Sequence, residues 1–311
     1  MIAMRKLSLV FVHLAIPLTA LCQLENVKSR LEIYDVAKNQ RQTIYEEEDH
    51  FEAPNWSKDG VYLILNGKGK LFRLNLDSKK KTEIATGFAD KLNNDHGISP
   101  SGDQIVISHY DQPGASYENR DFRTSRIYTL PIQGGTPKLV TEQTPSFWHG
   151  WSPDGQNLIY TALRDGNFDI YSIGVNGGEE KRLTSYEGLD DGSDFSADGE
   201  HIYYNSMQSG KMEIWKMDID GSHKKQITRD KYSNWFPHPS PNGEVLVFLS
   251  YLEDQEDRHP AMKNVALRIL DLKTGEITTL FKFIGGQGTI NVPSWSPDGN
   301  RFAFVSYERI K

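Results

Sequence analysis

Cysteine is almost absent from this sequence, since Cys22 is the only one among 311 residues. A chain with a single cysteine cannot close an internal disulfide, which excludes a disulfide framework. Its stability must therefore come from burial of apolar surface.

Long hydrophobic runs are also scarce, and the one candidate lies at the N-terminus. The apolar stretch Leu7–Ala20 follows Arg5 and Lys6, and it is shorter than the roughly 20 residues that a membrane-spanning helix needs. Small residues at positions 20 and 22 suit signal-peptidase cleavage before position 23. We therefore predict a signal peptide over 1–22, no transmembrane segment, and a periplasmic or secreted protein. Lipidation of Cys22 is a weaker alternative, because Leu21 is larger than lipoprotein processing usually accepts.

Dense positive charge is missing as well. The formal net charge is -7 and the sequence pI is about 5.7, and the only basic run is the short Lys79-Lys80-Lys81. Nucleic-acid binding needs a basic patch or stripe, so a nucleic-acid partner is excluded.

The sequence does contain a repeat, an apolar residue followed by Ser-Pro-Asp-Gly or a close variant. Its six copies begin at Trp56, Ile98, Trp151, Phe195, Pro239 and Trp295. Successive copies are separated by 42, 53, 44, 44 and 56 positions. A period of about 40–50 residues that contains several short strands is typical of β-propeller blades.

Each repeat reads as four strands, with Pro-Asp-Gly as the tight turn between the first two. The last repeat stops after its second strand, and the missing third and fourth strands are found near the N-terminus. We predict an all-β fold, a six-bladed propeller of four-stranded antiparallel blades, closed by pairing of the N- and C-terminal strands. One domain would span 23–311, with blades at 52–87, 94–142, 148–185, 191–229, 235–281 and 291–311 plus 30–46.

Two insertions interrupt the regular spacing, and both fall between a second and a third strand. They are Tyr110–Ser125 in the second blade and Tyr251–Ala266 in the fifth. Long loops in a compact domain are often functional, although a solvated insertion is the alternative.

The six copies resemble the TolB-type propeller repeat, whose consensus is close to Pro-x-Trp-Ser-Pro-Asp-Gly. The resemblance covers nearly all of residues 23–311 and implies the propeller fold, whereas one fold hosts many functions. TolB itself carries an α/β domain ahead of its propeller, and we expect no such domain here. Prolyl-oligopeptidase-like enzymes share a distant version of the repeat, but no Gly-x-Ser-x-Gly nucleophile motif follows it here.

We expect the functional residues to be those that directly precede the repeat motif, because the repeat pattern breaks there. These polar and aromatic residues would gather at one mouth of the central channel. Two positions before the motif, three blades have proline, whereas the second and third blades have His96 and His149. The predicted ligand-binding set is Glu52, Asn94, Asp95, His96, His109, Trp148, His149, Asp190, Asp191, Trp235, His238 and Asn291.

His96 and His149 occupy equivalent places on neighbouring blades, so they are also the candidate catalytic residues. With Asp191 they could hold a divalent metal, or one of them could act as a general base. Alternatively, these polar residues only line a water-filled channel, and Trp148 and Trp235 only pack between blades.

Two functions follow from this set, and no cofactor is certain. The first is a monomeric binding module that holds a protein or glycan ligand at the channel mouth. The alternative is a carbohydrate-active lyase or hydrolase that uses the channel histidines with or without a metal. Some propeller lyases of uronate oligosaccharides resemble this arrangement in residue type and placement.

Overall fold

A computed structural model describes residues 26–114 and 119–310 of the protein. The predicted signal peptide, 1–22, lies outside these residues. The helical content of the described chain is one turn of 3₁₀ helix, Phe122–Thr124. No helix in these two ranges is long and apolar enough to span a membrane.

Twenty-three strands make up the described part of the chain. In chain order they are β1 (Val27–Asp35), β2 (Gln40–Glu47), β3 (Glu52–Trp56), β4 (Tyr62–Gly67), β5 (Lys70–Asn75), β6 (Lys81–Ile84), β7 (Leu92–Ile98), β8 (Gln104–Tyr110), β9 (Ser125–Pro131), β10 (Lys138–Leu139), β11 (Ser146–Trp151), β12 (Asn157–Arg164), β13 (Asn167–Gly174), β14 (Lys181–Arg182), β15 (Asp190–Phe195), β16 (His201–Ser206), β17 (Glu213–Asp218), β18 (Lys225–Gln226), β19 (Ser233–Pro239), β20 (Val245–Tyr251), β21 (Lys263–Asp271), β22 (Ile277–Gly285) and β23 (Arg301–Arg309).

These strands form six antiparallel sheets, which are the six blades of a propeller. Blades 1 to 5 are β3–β6, β7–β10, β11–β14, β15–β18 and β19–β22. Blade 6 combines β23 with β1 and β2, and its innermost strand is reduced to one bridge between Trp295 and Phe302. The predicted all-β six-bladed fold, closed by strands from both ends of the chain, is confirmed.

Closure of the ring rests on the pairing of β1 with β23. All nine residues of β1 pair with β23, from Val27 opposite Arg309 to Asp35 opposite Arg301. This pairing removes two sheet edges that would otherwise be open to other chains.

The repeat motif builds the turn between the first two strands of each blade. In blade 3 the Ser152 hydroxyl donates to Asp154 at 2.5 Å, and the Gly155 amide donates to the Ser152 carbonyl at 2.8 Å. Gly155 has a φ of 71°, which favours glycine. Asp59, Asp198 and Asp298 accept the same bond from their own motif serines. The recurring aspartates are therefore explained by turn chemistry, as predicted.

All of these turns lie on one face of the ring, which we call the hairpin face. The first strands begin, and the second strands end, on the opposite face, which we call the mouth. Among the described residues the buried apolar side chains form six clusters, one between each pair of neighbouring blades.

A second regularity ties neighbouring blades together at the mouth. Nine positions after the motif serine, four blades have a polar residue that bonds to the first strand of the next blade. The four contacts are Asn66 to the Asn93 carbonyl at 2.6 Å, Ser108 from the Trp148 amide at 2.9 Å, Thr161 to the Asp191 carboxylate at 2.8 Å and Asn205 from the Phe236 amide at 3.1 Å.

Candidate functional site

The inner strands do not run straight into the mouth. In each of blades 1 to 5 the pairing of the first and second strands shifts register just before the repeat motif. Three of these bulges place a residue at positive φ: Ala53 at 55°, Gly192 at 57° and Phe236 at 53°. A non-glycine residue in this region is strained by roughly 1–3 kcal/mol, and such strain gathers at functional sites. Because the bulges differ, counting along the sequence does not reveal which side chains meet.

The centre of the site is a buried pair from neighbouring blades, His149 of blade 3 and Asp191 of blade 4. Nε2 of His149 lies 2.8 Å from Oδ1 of Asp191. The same carboxylate oxygen accepts the Thr161 hydroxyl at 2.8 Å, and Oδ2 lies 3.6 Å from Nε2 of His259. His259 belongs to the insertion of blade 5, so this loop contributes a side chain to the mouth.

Each member of the pair stabilises the charge of the other. Burial opposes the charge of His149, but Asp191, Asp95 and Asp194 raise its pKa above the usual value. Burial likewise works against ionisation of Asp191, yet the neighbouring His149 and His259 and the Thr161 hydroxyl hold its pKa well below the usual range. Both shifts favour the charged forms, an imidazolium beside a carboxylate. Nδ1 of His149 is buried and has no hydrogen-bond partner among the described residues.

Two further carboxylates, Glu52 of blade 1 and Asp95 of blade 2, belong to the same group. Each is 5% exposed. Burial raises the pKa of Glu52 to about 8 and that of Asp95 to about 6. The charge of Asp95 further raises the pKa of Glu52, and the charge of Asp191 further raises that of Asp95.

The insertion of blade 2 also reaches this group, through Arg120. Its guanidinium carbon lies 5.2 Å from the centre of the Tyr110 ring. Its charge lowers the pKa of Glu52 and of the buried His50. Both predicted insertions therefore deliver a polar side chain to one mouth.

A second histidine–carboxylate pair continues the polar lining. Nδ1 of His238 lies 3.0 Å from Oδ2 of Asp194, and Nε2 lies 2.8 Å from the Ile290 carbonyl. This side chain thus links blades 4, 5 and 6, while Asn55 links blades 6, 1 and 2 through the Pro293 carbonyl and the Ile98 amide.

His96 differs from His149 in its surroundings. It is fully buried, its Nδ1 lies 3.0 Å from the Asn94 carbonyl, and burial lowers its pKa to about 4. Within residues 26–114 and 119–310 no cluster of three or more His, Cys, Asp or Glu side chains is arranged to hold a metal ion. The structure thus gives the predicted set His96, His149 and Asp191 no arrangement as a metal site.

The two predicted tryptophans are corrected in their role. Trp148 and Trp235 are 1% and 0% exposed, so their ring faces are covered by protein. Trp148 belongs to the cluster between blades 2 and 3, and Trp235 lies 4.8 Å from the His259 ring. Packing between blades accounts for both, and neither offers a face to a sugar ring.

The remaining predicted residues, His109, Asn291, Asp190 and Asn94, are also buried. His109 contacts Asp111 at 2.8 Å and the Phe88 ring, rather than the central pair. Asn291 accepts the Gly288 amide at 2.7 Å. Burial raises the pKa of Asp190 to about 6. Asn94 is 3% exposed, and its Nδ2 has no partner among the described residues.

Sequence reasoning missed His259, Thr161 and His50. The signal for His259 was available, because it is the only histidine of the fifth-blade insertion. Thr161 could have been found by aligning the second strands as well as the first.

The ring of six blades and the polar mouth together define a propeller of the binding-module class. The sequence model of the TolB beta propeller domain, PD40, matches residues 115–280, and the chain belongs to this family. An uncharacterized protein, Atu1656, of Agrobacterium fabrum is 47% identical over 91% of this chain and 93% of its own length.

Solved structures agree with this assignment. A protein of Agrobacterium tumefaciens whose structure carries the name TolB is 46% identical, with a TM-score of 0.85 over 91% of this chain and 99% of its own. TolB from Acinetobacter baumannii is 19% identical, with a TM-score of 0.61 over 85% of this chain and 65% of its own. The second comparison shows the fold alone.

Proposed function

We propose that the protein is a binding module that holds a segment of a protein partner at the channel mouth. The observation that carries the proposal is that two insertions each bring a side chain to a buried carboxylate of the mouth: Arg120 acts on Glu52, and His259 lies 3.6 Å from Asp191. The propeller ring is closed by the strands of the blades and does not need the two insertions. We therefore infer that the insertions form a recognition surface.

The rim of the mouth supports a protein partner rather than a sugar. Phe88 and Tyr186, on loops between blades at the mouth face, are 52% and 42% exposed. Aromatic residues are enriched in protein–protein interfaces. Inside the mouth the two tryptophans suited to sugar stacking are buried.

We also propose that the protein acts outside the cytoplasm, as the mature domain 23–311. The basic residues, apolar stretch and small residues of 1–22 support this. Mass spectrometry of the protein from its membrane and soluble envelope fractions would test it, since cleavage before Gln23 predicts that N-terminus.

Site-specific photo-crosslinking tests the binding face. We would place a photoreactive residue at Phe88 or Tyr186 on the mouth face, and at Val61 or Ile219 on the hairpin face. The control positions are 44% and 51% exposed, so exposure is matched. We expect a discrete adduct from envelope extracts at the mouth positions only. Equal labelling of both faces, or labelling of the hairpin face alone, would contradict the proposal.

A second candidate, a carbohydrate-active enzyme, is favoured by one observation. Nε2 of His149 lies 2.8 Å from Asp191, and Nδ1 is buried without a partner among the described residues; an imidazolium that a carboxylate stabilises can act as a general acid. Assays of unsaturated or reducing products across a polysaccharide panel, with His149→Gln as the control, would test it. Failure of every substrate would remove this candidate.

A further inference from the structure

At the mouth, Oδ2 of Asp191 and Nε2 of His259 lie 3.6 Å apart, and neither atom donates a hydrogen bond to the other. The second carboxylate oxygen, Oδ1, lies 2.8 Å from Nε2 of His149 and accepts the Thr161 hydroxyl at 2.8 Å. Among the described residues the contacts of Asp191 with donors thus fall on Oδ1. What lies between Oδ2 and His259 depends on where the His259 ring carries its proton.

A chain of amides in the segment that follows β22 places that proton. The Gly288 amide donates to Oδ1 of Asn291 at 2.7 Å, which fixes the orientation of this side chain. Asn291 therefore directs its donor, Nδ2, to Oε1 of Gln287 at 3.4 Å. Nδ1 of His259 contacts the same Oε1. Because an amide oxygen only accepts hydrogen bonds, Nδ1 must be the nitrogen that carries the proton.

A neutral imidazole with its proton on Nδ1 presents a lone pair at Nε2. Burial lowers the pKa of His259 below its usual value, which favours the neutral form. Nε2 of His259 and Oδ2 of Asp191 are then two acceptors that face each other, and we call them the acceptor pair. A hydrogen-bond donor that enters between them would satisfy both atoms.

The surroundings indicate what kind of donor fits. Asp191 already has a partner of opposite charge in His149, whose pKa is raised above its usual value, so the donor needs no charge of its own. A carboxylate would be repelled by both acceptors. Two hydrogens on one neutral atom suit two acceptors 3.6 Å apart, and the side-chain amides of asparagine and glutamine provide them. The His259 side chain is 29% exposed, so the acceptor pair can be reached from the mouth.

We propose that His259 and Asp191 bind the side-chain amide of an asparagine or glutamine in the bound partner, with one N–H on each acceptor. This inference rests on the proposed function and specifies a residue type in its ligand. The ring of His259 is held in place for this role, since the rings of Trp235 and Phe236 pack against it with centroids 4.8 and 5.3 Å away.

The position of the proton can be tested on the free protein. Proton–nitrogen correlation spectra of the imidazole should show neutral His259 with its proton on Nδ1. Gln287→Leu removes the acceptor beside Nδ1, so the proton should move to Nε2 and donate to Asp191. A substitution that only loosened the packing would not move it. A wild-type His259 with its neutral proton on Nε2 would overturn the acceptor pair.

A displayed library of random peptides, selected near neutral pH, is the probe for the bound group. Peptides at the mouth shift the His259 imidazole resonances, and we expect these peptides to share an asparagine or glutamine at one fixed position. His259→Phe keeps a ring but lacks the acceptor, and should bind them roughly tenfold more weakly, because the amide loses a partner. The matched control is His201→Phe, since His201 lies beside Asp218 on the hairpin face and is 30% exposed. Cooperative melting shows that each variant is folded.

The pH dependence of peptide binding is a second readout. Asp191 and His149 are the titratable groups that act on His259 from the neighbouring blades. A proton on Nε2 turns this acceptor into a donor, so the peptide affinity should fall as the pH falls through the pKa of His259, by up to about tenfold for each pH unit. His201→Phe should keep this dependence. An affinity that rises on acidification would contradict the acceptor pair.

The outcomes separate this inference from the proposed function. Mouth peptides that lack asparagine and glutamine, or that bind His259→Phe as tightly as the wild type, would overturn the acceptor pair and leave a binding module. A saccharide that shifts the His259 resonances where no peptide does would overturn the amide ligand and favour the second candidate. If no peptide binds, the acceptor pair is overturned, and if the mouth crosslinks are also missing, so is the proposed function.

Discussion

The indole ring of Trp148 in blade 3 lies directly against the α-carbon of Gly97 in blade 2. A β-carbon on residue 97 would come within 2.7 Å of Cζ3 and 2.8 Å of Cζ2, and closer still to Cη2. Gly97 is therefore required for space, whereas most turn glycines of this chain are required for their backbone conformation.

Gly97→Ala should consequently be strongly destabilising. Overpacking of a well-packed core costs typically about 1–3 kcal/mol, and we expect a loss at the upper end, measured by chemical denaturation. Trp148→Phe in the Gly97→Ala background should recover part of the loss, because the smaller ring leaves room. Strictly additive effects of the two substitutions would show that the residues do not contact as described.

The pair of His149 and Asp191 predicts a defined pH window. The pKa of His149 is raised above 6.5 in the fold, so its contribution is complete below that pH and is lost as the pH rises through the folded pKa. The pKa of Asp191 is lowered below 3.8, so its contribution is present above that pH and is lost as the pH falls. The pair is expected to stabilise the fold most between these values.

Asp191→Asn should lower the pKa of His149 and cost roughly 3–5 kcal/mol, because a buried charge loses its partner. NMR titration of the imidazole gives the first quantity and urea denaturation the second. Asp194→Asn is the comparison variant, since its charge affects His149 less than that of Asp191. An unchanged His149 titration in Asp191→Asn would refute the pairing.

Glu52 makes the stability of the fold fall as the pH rises, which is the opposite of the effect of Asp191. Its pKa rises from 4.5 to about 8 in the fold, so its favourable contribution is present below 4.5 and is lost as the pH rises toward 8. Asp95, Arg120 and His50 are the groups that face it. Between these pH values the wild type should lose on the order of a few kcal/mol of unfolding free energy that Glu52→Gln retains. Glu187→Gln, on the exposed surface, should follow the wild type.

Asn55 bridges three blades with one amide, and this predicts a cost for removing it. Nδ2 donates to the Pro293 carbonyl at 2.6 Å, and Oδ1 accepts the Ile98 amide at 2.8 Å. Asn55→Ala leaves both backbone groups unpaired in a buried place, for a loss of about 2 kcal/mol or more. Asn157→Ala, at an exposed position, should change the denaturation midpoint little. Equal effects of the two variants would argue against the bridge.

Closure predicts that the end of the chain is indispensable. Deletion of 301–311 removes β23 and leaves all of β1 without its partner, so cooperative melting should be lost. Deletion of 310–311 alone, beyond the strand, should leave the melting temperature within a few degrees of the full chain. Survival of the longer deletion with an unchanged melting temperature would disprove closure.

The fold could be predicted from the sequence because its signals are local. Ser-Pro-Asp-Gly dictates a turn wherever it stands, and the spacing of six copies fixes the number of blades. The pairing of β1 with β23 could be predicted by counting strands, since the last repeat is two strands short.

The site could be predicted only in part. The break in the pattern at His149 and Asp191 identified the mouth, but the contact between them depends on bulges that no spacing reveals. The insertion of blade 5 was recognised as a loop, whereas the approach of His259 to Asp191 depends on how that loop folds across the ring. Trp148 and Trp235 were assigned to ligand binding because burial of a side chain between blades depends on its neighbours in space, such as Gly97.

The two ends of the described chain meet at the mouth face, where the Ile310 amide donates to the Asn26 carbonyl at 2.8 Å. Any reporter, affinity handle or solid support attached to either end would thus stand beside the surface whose occupancy is to be measured. Its bulk could obscure the very event under study. A handle inserted at Gly275 or Gly60, in turns with open space around them on the hairpin face, would leave the mouth free.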